Sequence, residues 1–542
     1  MSPFAREQIT DLLDVFGPDF MTYVLNLDGD ATVERLLADL SPGQAGTLQI
    51  LGQLRQPYRP EVGTPEGAVW ASRLNADQYI DQAESSLANA LRVQSGGTVP
   101  PPRTDADPVL DALYRMLADV YPALLLPHEP PGSGPDISRT MFGHPAREAL
   151  EAALLADPAL AKLYTEESAM SGRSGSVYRS TGQGGGLQLW TFGSQQIGLA
   201  HAWASLETSQ LTIGDVRDKL ALSVAVIRQA IKGKAVTVPM RVGLTGVLLP
   251  DGLDKLDLGW ATLRPAADID RRIAERTGVA GKLMTTQHDG TVVTIDYAGD
   301  VVLALDVPYR IKLGEVKIDK GWPPELTAVQ GVAAQDVESL RLALALALED
   351  NQPGLVVQSW QLTIDPLAVS ALPGWNDTRR TPNLLPRQLT HAQVEEWAKW
   401  SGLVRSHRTP STAVAVRRML QALGERHNPE DVLVDAVVVW ENLFGASQET
   451  TMRICTALAW LLGTDADDRL KRQNQYKKLY ALRSNIVHGA SKIATDKVPE
   501  ASREAVQISL SALRKLFEYR PELLTEKTSE DRGNKLLLDV RN

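Results

Sequence analysis

The sequence predicts an α+β fold with a helical N-terminal region, a β-rich middle domain and an all-α helical bundle at the C-terminus. Apolar residues recur at helical spacing at both ends of the chain and form strand-like runs between them. At 542 residues the chain is too long for one ordinary core, which indicates roughly two to four domains. We therefore predict a helical region over 1–170, a β-rich domain over 171–370 and a helical bundle over 385–525.

The composition is that of an ordinary globular protein, with 43% hydrophobic and 23% charged residues. A formal charge of −10 argues against a general nucleic-acid coat protein but leaves room for a local basic site. The single cysteine, Cys455, excludes an internal disulfide and a cysteine-rich metal site, so we expect a cytoplasmic protein. We expect no membrane partner, because the N-terminal residues lack a signal-peptide core and the longest apolar run, 340–348, is too short to span a bilayer.

The N-terminal region is expected to begin with three short helices over 20–25, 31–40 and 41–54. Such helices are compatible with a DNA-binding helix-turn-helix, but Glu34 and Asp39 on the second helix would repel phosphates. A small helical packing unit is therefore favoured. Further helices are predicted over 64–92, 108–124 and 145–164, followed by a mobile glycine-rich connection over 171–186.

The middle domain is predicted from short runs rich in Val, Thr, Ile and aromatic residues. The expected strands are 187–192, 236–242, 246–249, 258–263, 291–297, 301–307 and 356–364, with helices over 213–231 and 337–349. Residues 298–300 are expected to form a hairpin turn between two of the strands. His201 and His288 stand alone in the sequence, which indicates structural histidines and a domain for recognition or regulation. A linker is predicted over 372–386.

The C-terminal bundle is predicted from helices over 389–401, 410–423, 430–444, 448–462, 465–482 and 502–519, with a frayed end after Pro521. Asn428 and Pro429 supply a helix cap and a first-turn proline for the helix 430–444. This helix is apolar nearly all round, which is typical of a central helix. Glu441 is therefore conspicuous: it either has a basic partner or lies where the helix emerges.

The segment LYALRSNIVHG, residues 479–489, carries Arg483 and His488. Five residues of an ideal helix turn these side chains about 140° apart, so they converge only if the helix ends or bends between them. Gly489 is consistent with a helix end. The pair suits a phosphodiester, because histidine can move the proton of a ribose 2′-OH and arginine can hold a phosphate.

The stretch from Glu430 to Gly489 resembles the Apea-like branch of the HEPN superfamily. Three features carry the resemblance: the acid-bearing helix DAVVVWENLF, the helix that follows it, and LYALRSNIVHG. HEPN domains are helical bundles that usually dimerise, and their R-x4-6-H motifs meet at the dimer cleft. Many are metal-independent endoribonucleases of toxin–antitoxin and anti-phage systems. The resemblance extends over the predicted helical bundle.

By position, the resemblance implies that Arg483 and His488 are the catalytic pair and Glu441 a supporting acid. Ser484 departs from many active members, which have Asn, Asp or His after the arginine, but Asn485 comes next and either side chain could assist by hydrogen bonding. The resemblance further implies an RNA substrate, 2′,3′-cyclic phosphate products, a homodimer through the bundle and no metal or cofactor. The N-terminal and middle regions would then bind a trigger or a phage component.

Two alternatives stay open at this point. The bundle could be a noncatalytic module that only dimerises or binds RNA. Arg483 and His488 could also be structural, with Arg483 paired to Glu441 or Asp435 and His488 at a helix end.

Overall fold

The computed structural model describes residues 4–38, 40–61, 63–127, 137–168, 172–208, 211–276, 282–286, 292–296, 299–314, 322–348, 356–368, 372–375, 386–489 and 495–538. Asp39, His288 and most of the predicted linker lie outside these residues. The described chain has the mixed character expected, with helices and sheets both present and a C-terminal region built from helices.

Helices dominate the described chain before residue 165. They are α1 Arg6–Phe16, α2 Pro18–Val24, α3 Val33–Leu37, α4 Pro42–Leu54, α5 Pro65–Ala76, α6 Leu87–Gln94, α7 Pro108–Leu124, α8 Ser138–Gly143 and α9 Ala146–Ala156, with a small hairpin of β1 Tyr79–Ile80 and β2 Ser85–Ser86. Ser41 caps α4, because its hydroxyl accepts the Gln44 N–H and the Gln44 side chain accepts the Ser41 N–H. The predicted start of this helix is therefore confirmed.

Strands and helices alternate in the middle of the chain. The strands are β3 Glu166–Ser168, β4 Gly172–Arg179, β5 Gly184–Gln188, β6 Val236–Thr245, β7 Val247–Leu248, β8 Leu256–Asp257, β9 Ala261–Pro265, β10 Lys282–Thr286, β11 Val292–Asp296, β12 Val301–Tyr309, β13 Ile311–Leu313, β14 Val357–Thr363 and β15 Leu372–Trp375. The helices are α10 Phe192–Ala204, α11 Ile213–Ile231, α12 Asp268–Arg276, α13 Pro324–Thr327 and α14 Val332–Ala347. The main sheet is antiparallel, with strand order β15-β14-β6-β12-β9-β8.

The predicted hairpin turn at 298–300 is wrong. Strand β11 pairs with β10, whereas β12 lies between β6 and β9 in the main sheet. Ala298 itself lies outside the described residues. The alternating pattern identified both strands correctly, but it carries no information about which strand is the partner.

The predicted mobile connection over 171–186 is also wrong, because it holds strands β4 and β5, which pair antiparallel. One of these glycines has a packing reason: a Cβ at Gly175 would lie 1.6 Å from the carbonyl oxygen of Leu163. Glycine thus permits a close backbone approach within a strand. The strand predicted over 187–192 ends at Gln188, and helix α10 begins at Phe192.

A buried ion pair connects β4 to the end of β14. The Arg179 Nε lies 2.9 Å from Asp365 Oδ2, and both side chains are almost fully buried. Asp365 also accepts hydrogen bonds of 2.7 Å from the hydroxyls of Tyr309 and Thr181. The carboxylate is thus satisfied on both oxygens, as a buried charge requires.

Helices form the end of the described chain after a short strand, β16 Arg387–Gln388, which pairs with β7. They are α15 His391–His407, α16 Ala413–Gly424, α17 Pro429–Phe444, α18 Thr450–Leu462, α19 Ala466–Val487, α20 Val498–Tyr519, α21 Pro521–Leu524 and α22 Ser529–Leu538. Helix α17 is central, as predicted, because α16, α18, α19, α20 and α22 all contact it. Strand β15 occupies the first residues of the predicted linker, which is a further correction.

The middle and C-terminal regions share one hydrophobic core, which runs from the main sheet through α14 into the last helices. The Trp397 indole of α15 donates to the Leu340 carbonyl of α14 over 3.0 Å. Arg514 of α20 donates to the carbonyls of Ala345, Leu346 and Leu348 at the end of α14. A second core joins the N-terminal helices to α10 and α11. The domain limits given above stay a prediction.

The expected fraying after Pro521 is wrong for the residues described up to 538, because α22 carries a fully buried arginine, Arg532. Its guanidinium donates to the carbonyls of Asn442 and Leu443 at the end of α17 and of Leu523 in α21, over 2.9–3.1 Å. A cation at a helix C-terminus is also attracted to the negative end of the helix dipole. Arg532 therefore fastens the last helix to the central one.

We predict that Arg532→Ala lowers the free energy of unfolding by about 2–4 kcal/mol, because several buried carbonyls lose their donor. Urea denaturation followed by tryptophan fluorescence measures the change. The control is Lys527→Ala, an exposed cation nearby in sequence, for which we expect a change within about 0.5 kcal/mol. Equal stability of the two variants would contradict the anchoring role of Arg532.

Candidate functional site

Helix α19 carries residues 479–487 of the segment and passes Arg483 without a break. Asp465 caps its start by accepting the Asp468 N–H over 2.9 Å. The helix continues to Val487, one turn beyond the predicted end at 482, and His488 occupies the C-terminal cap position. Gly489 follows with φ +66°, a left-handed conformation that favours glycine after a helix end.

This unbroken helix separates Arg483 from His488. The His488 N–H donates to the Ser484 carbonyl over 3.0 Å, so the backbone between the two residues is still helical. The side chains therefore leave the helix about 140° apart. The two side chains could converge within one chain only if the helix ended or bent between Arg483 and His488. The structure shows neither.

Arg483 points toward the centre of the bundle. Its Nη2 lies 3.2 Å from Glu441 Oε2, with 19% and 27% of the two side chains exposed. The other candidate partner, Asp435, is instead held by Arg418 at 2.8 Å and Arg426 at 2.6 Å. Of the two acids left open by the sequence, Glu441 is thus the partner. The Nε of Arg483 is buried and has no partner among the described residues.

Tyr480 completes this inward cluster and was missed by the sequence reasoning. Its hydroxyl donates to Glu441 Oε1 over 2.7 Å, and the Arg483 guanidinium lies 6.0 Å from its ring centre. Burial, followed by the hydrogen bond to Glu441, raises the pKa of Tyr480 to about 12. The phenol therefore stays protonated at neutral pH and remains a donor. The sequence did carry a signal for this contact: Tyr480 lies three residues before Arg483, and residues three apart share a helix face.

Asn485 and His488 lie on the outward side of α19. Both side chains are exposed, whereas Ser484 is half-buried. Asn485 and His488 are three residues apart and so share a face. The structure therefore divides the predicted residues into an inward set, Arg483 with Glu441, and an outward set, Asn485 with His488.

The charge along this part of α19 is of one sign. Residues 469–489 contain six Lys or Arg and no Asp or Glu, although the whole chain has a formal charge of −10. The acids of the helix, at Asp465, Asp467 and Asp468, all lie in its cap and first turn, where carboxylates favour the helix dipole. The second half of α19 is therefore a locally cationic segment.

A serine, an aspartate and a histidine also meet in the N-terminal region. Asp119 accepts from the Ser85 hydroxyl over 2.7 Å and lies 3.1 Å from His144 Nε2, while His144 Nδ1 accepts the Ala146 N–H over 3.0 Å. Both ring nitrogens are thus engaged, and the serine contacts the aspartate instead of the histidine. This is not the order of a nucleophilic triad, and the cluster fastens helices together.

Among the described residues, no group of three or more His, Cys, Asp or Glu side chains is arranged to hold a metal ion. None of the helices in the described segments is long and apolar enough to cross a membrane. Comparison of the chain with protein-family models, with curated proteins and with solved structures gave no match.

We predict that Cys455 is inert in the folded protein. Its side chain is fully buried in α18, and burial raises the pKa of the thiol to about 12. At pH 8 the thiolate fraction is then on the order of 10³-fold lower than in the unfolded chain. Because the chain has one cysteine, the reaction of DTNB with native and with urea-unfolded protein measures this directly. Comparable rates in the two states would show an accessible thiolate.

Proposed function

We propose that this chain is a metal-independent endoribonuclease of the HEPN type that cuts RNA to 2′,3′-cyclic phosphate and 5′-hydroxyl ends. The observation that carries the proposal is the end of α19, where a fixed arginine and an exposed histidine lie in an acid-free cationic segment. The surrounding helices, with α17 at the centre, are proposed to be the HEPN-like bundle. The chain would act in the cytoplasm.

His488 is proposed to take the proton of a ribose 2′-OH, or to return a proton to the leaving oxygen. The 2′-oxygen forms a bond to phosphorus, the bond from phosphorus to the 5′-oxygen breaks, and the 5′-oxygen leaves with a proton. Acid–base catalysis of this kind contributes roughly 10²–10⁴-fold to a rate. Asn485, on the same face as His488, and Ser484, in the next position to Arg483, would assist by hydrogen bonding.

Arg483 is proposed to stabilise the charge that develops on the phosphate. The ion pair with Glu441, whose carboxylate also accepts from the Tyr480 hydroxyl, fixes the position of this guanidinium before substrate arrives. Donors that are held in place in advance cost no reorganisation during the reaction. Glu441 would thus be a positioning residue that acts through Arg483.

A homodimer through the C-terminal helices is part of the proposal. Within one chain, the unbroken helix turns Arg483 and His488 to different sides. A second copy can supply the missing group, so that His488 of one protomer acts beside Arg483 of its partner. The N-terminal and middle regions would restrain the nuclease until a trigger, such as a phage component, binds. Such a protein would be a toxin or an anti-phage effector.

We predict that the wild-type protein cleaves RNA in the presence of EDTA and that His488→Ala lowers the rate roughly 10²–10⁴-fold. The assay uses total tRNA and mRNA, with and without lysate of phage-infected cells, and types the new ends chemically. His391→Ala, which removes another exposed histidine of the C-terminal region, serves as the control and should cleave like wild type. Undiminished cleavage by His488→Ala would overturn the mechanism.

A noncatalytic module is the second candidate function, and the ion pair between Arg483 and Glu441 favours it. A guanidinium already neutralised by a carboxylate has less charge to offer a phosphate. In that case the bundle would only dimerise or bind RNA. Arg483→Ala would then weaken RNA binding, and no cleavage would appear under any condition.

Mixing two inactive variants separates these functions. If Arg483 and His488 of different protomers form one site, Arg483→Ala and His488→Ala are each inactive but regain part of the activity when they are unfolded and refolded together. Each variant refolded alone is the control. A noncatalytic module stays inactive in every combination, and a site within one chain gives no recovery on mixing.

A further inference from the structure

The outward face of α19 carries a row of exposed, mostly polar residues that leads to His488. Successive members are three or four residues apart, which keeps them on one side of a helix. All of them are exposed. This row, here called the outer stripe, consists of Lys471, Asn474, Lys478, Ala481, Asn485 and His488.

The two lysines of the outer stripe differ from the other cations of the same helix segment. Neither Lys471 nor Lys478 has a hydrogen-bond or ion-pair partner within the described chain. The remaining four cations are engaged: Arg469 on the Trp460 ring, Arg472 with Asp468, Lys477 with Gln473, and Arg483 with Glu441. The outer stripe therefore presents its positive charge to solvent.

The acids around the stripe mark its limits. Asp467 lies one turn before Lys471 on the same face, so the sign of the charge changes there. On the neighbouring helix α20, Glu504 accepts a hydrogen bond from Gln475. No described carboxylate contacts the stripe between Lys471 and His488.

We propose that the outer stripe binds the phosphate backbone of single-stranded RNA and leads it to His488. This inference rests on the proposed nuclease function and names the path of its substrate. The 17 helical steps from Lys471 to His488 span about 26 Å. At a rise of roughly 3.4 Å per nucleotide in a stacked strand, this length corresponds to roughly eight nucleotides.

The chemistry of the stripe favours a backbone contact to a single strand. Apart from His488 it contains no aromatic side chain on which bases could stack, so Lys471 to Asn485 supply charge and hydrogen bonds without sequence preference. A cleavable strand must be flexible, because the 2′-oxygen, the phosphorus and the 5′-oxygen have to align for attack. A second copy of this face is a poor partner, since its unpaired lysines would repel one another.

The test is the double substitution Lys471→Gln/Lys478→Gln. The probe is a fluorescent 12-nucleotide strand with 2′-O-methyl groups throughout, which a 2′-OH mechanism cannot cut, so that binding is measured apart from cleavage. Anisotropy titrations over a series of salt concentrations give both affinity and salt dependence. The matched control is Lys232→Gln/Lys234→Gln, which removes the same charge from two exposed lysines after α11.

We expect the stripe variant to bind on the order of tenfold more weakly at low salt. The slope of log K against log salt should become shallower by about 1.4, since each phosphate of a single strand that a lysine neutralises contributes roughly 0.7 to it. The control should bind like wild type, and all three proteins should unfold at the same temperature.

Three results would overturn the inference: an unchanged salt slope in the stripe variant, an equal weakening in the control, or tighter binding of a 2′-O-methyl duplex than of the single strand. Absence of binding by wild type would overturn it as well and would point to an acidic protein as the partner of this face. The EDTA cleavage assay does not use this probe. If wild type cleaves RNA and the stripe variant binds the probe like wild type, the proposed nuclease function stands and only the proposed RNA path is rejected.

Discussion

The burial of α17 is the constraint on which the C-terminal region depends. A helix with apolar side chains nearly all round must be covered on every side, and five helices cover it. Asp435, which is buried, requires a basic partner, because an unpaired buried charge is strongly destabilising, and the half-buried Glu441 has one as well. Three arginines meet the requirement, two at Asp435 and one at Glu441.

The orientation of α19 follows from this pairing. Once Arg483 is drawn inward to Glu441, the helical repeat turns Asn485 and His488 outward. The same rotation sets the unpaired lysines on the outward side with them. The orientation of α19 about its own axis thus determines both the packing of Arg483 against the core and the cationic surface on the opposite side.

Sequence reasoning identified local structure well and distant partners poorly. Helix α11 matches its predicted range of 213–231 because Thr212 and Asp215 form a capping box that fixes its start. By contrast, the glycines at 171–186 suggest a mobile loop from sequence alone. The close approach of the Leu163 carbonyl to Gly175 is a tertiary contact, and the sequence carries no signal for it. In the candidate site, the ion pair of Glu441 with Arg483 was one of two stated options. Tyr480 was missed, because a tyrosine on the inward face of a helix cannot be told by sequence from a residue that only packs in the hydrophobic core.

The contact between Arg514 and the end of α14 has a consequence for how the molecule unfolds. Helix α14 belongs in sequence to the β-rich middle of the chain, yet its last carbonyls are bound by α20 and its apolar side chains share the core of the bundle. Separating the main sheet and α14 from the helical bundle would expose the shared core to water and leave the last carbonyls of α14 without a donor. Sheet and bundle are therefore expected to unfold together. By mass action, a molecule that binds only the folded sheet also raises the melting temperature of the helices that carry Arg483 and His488.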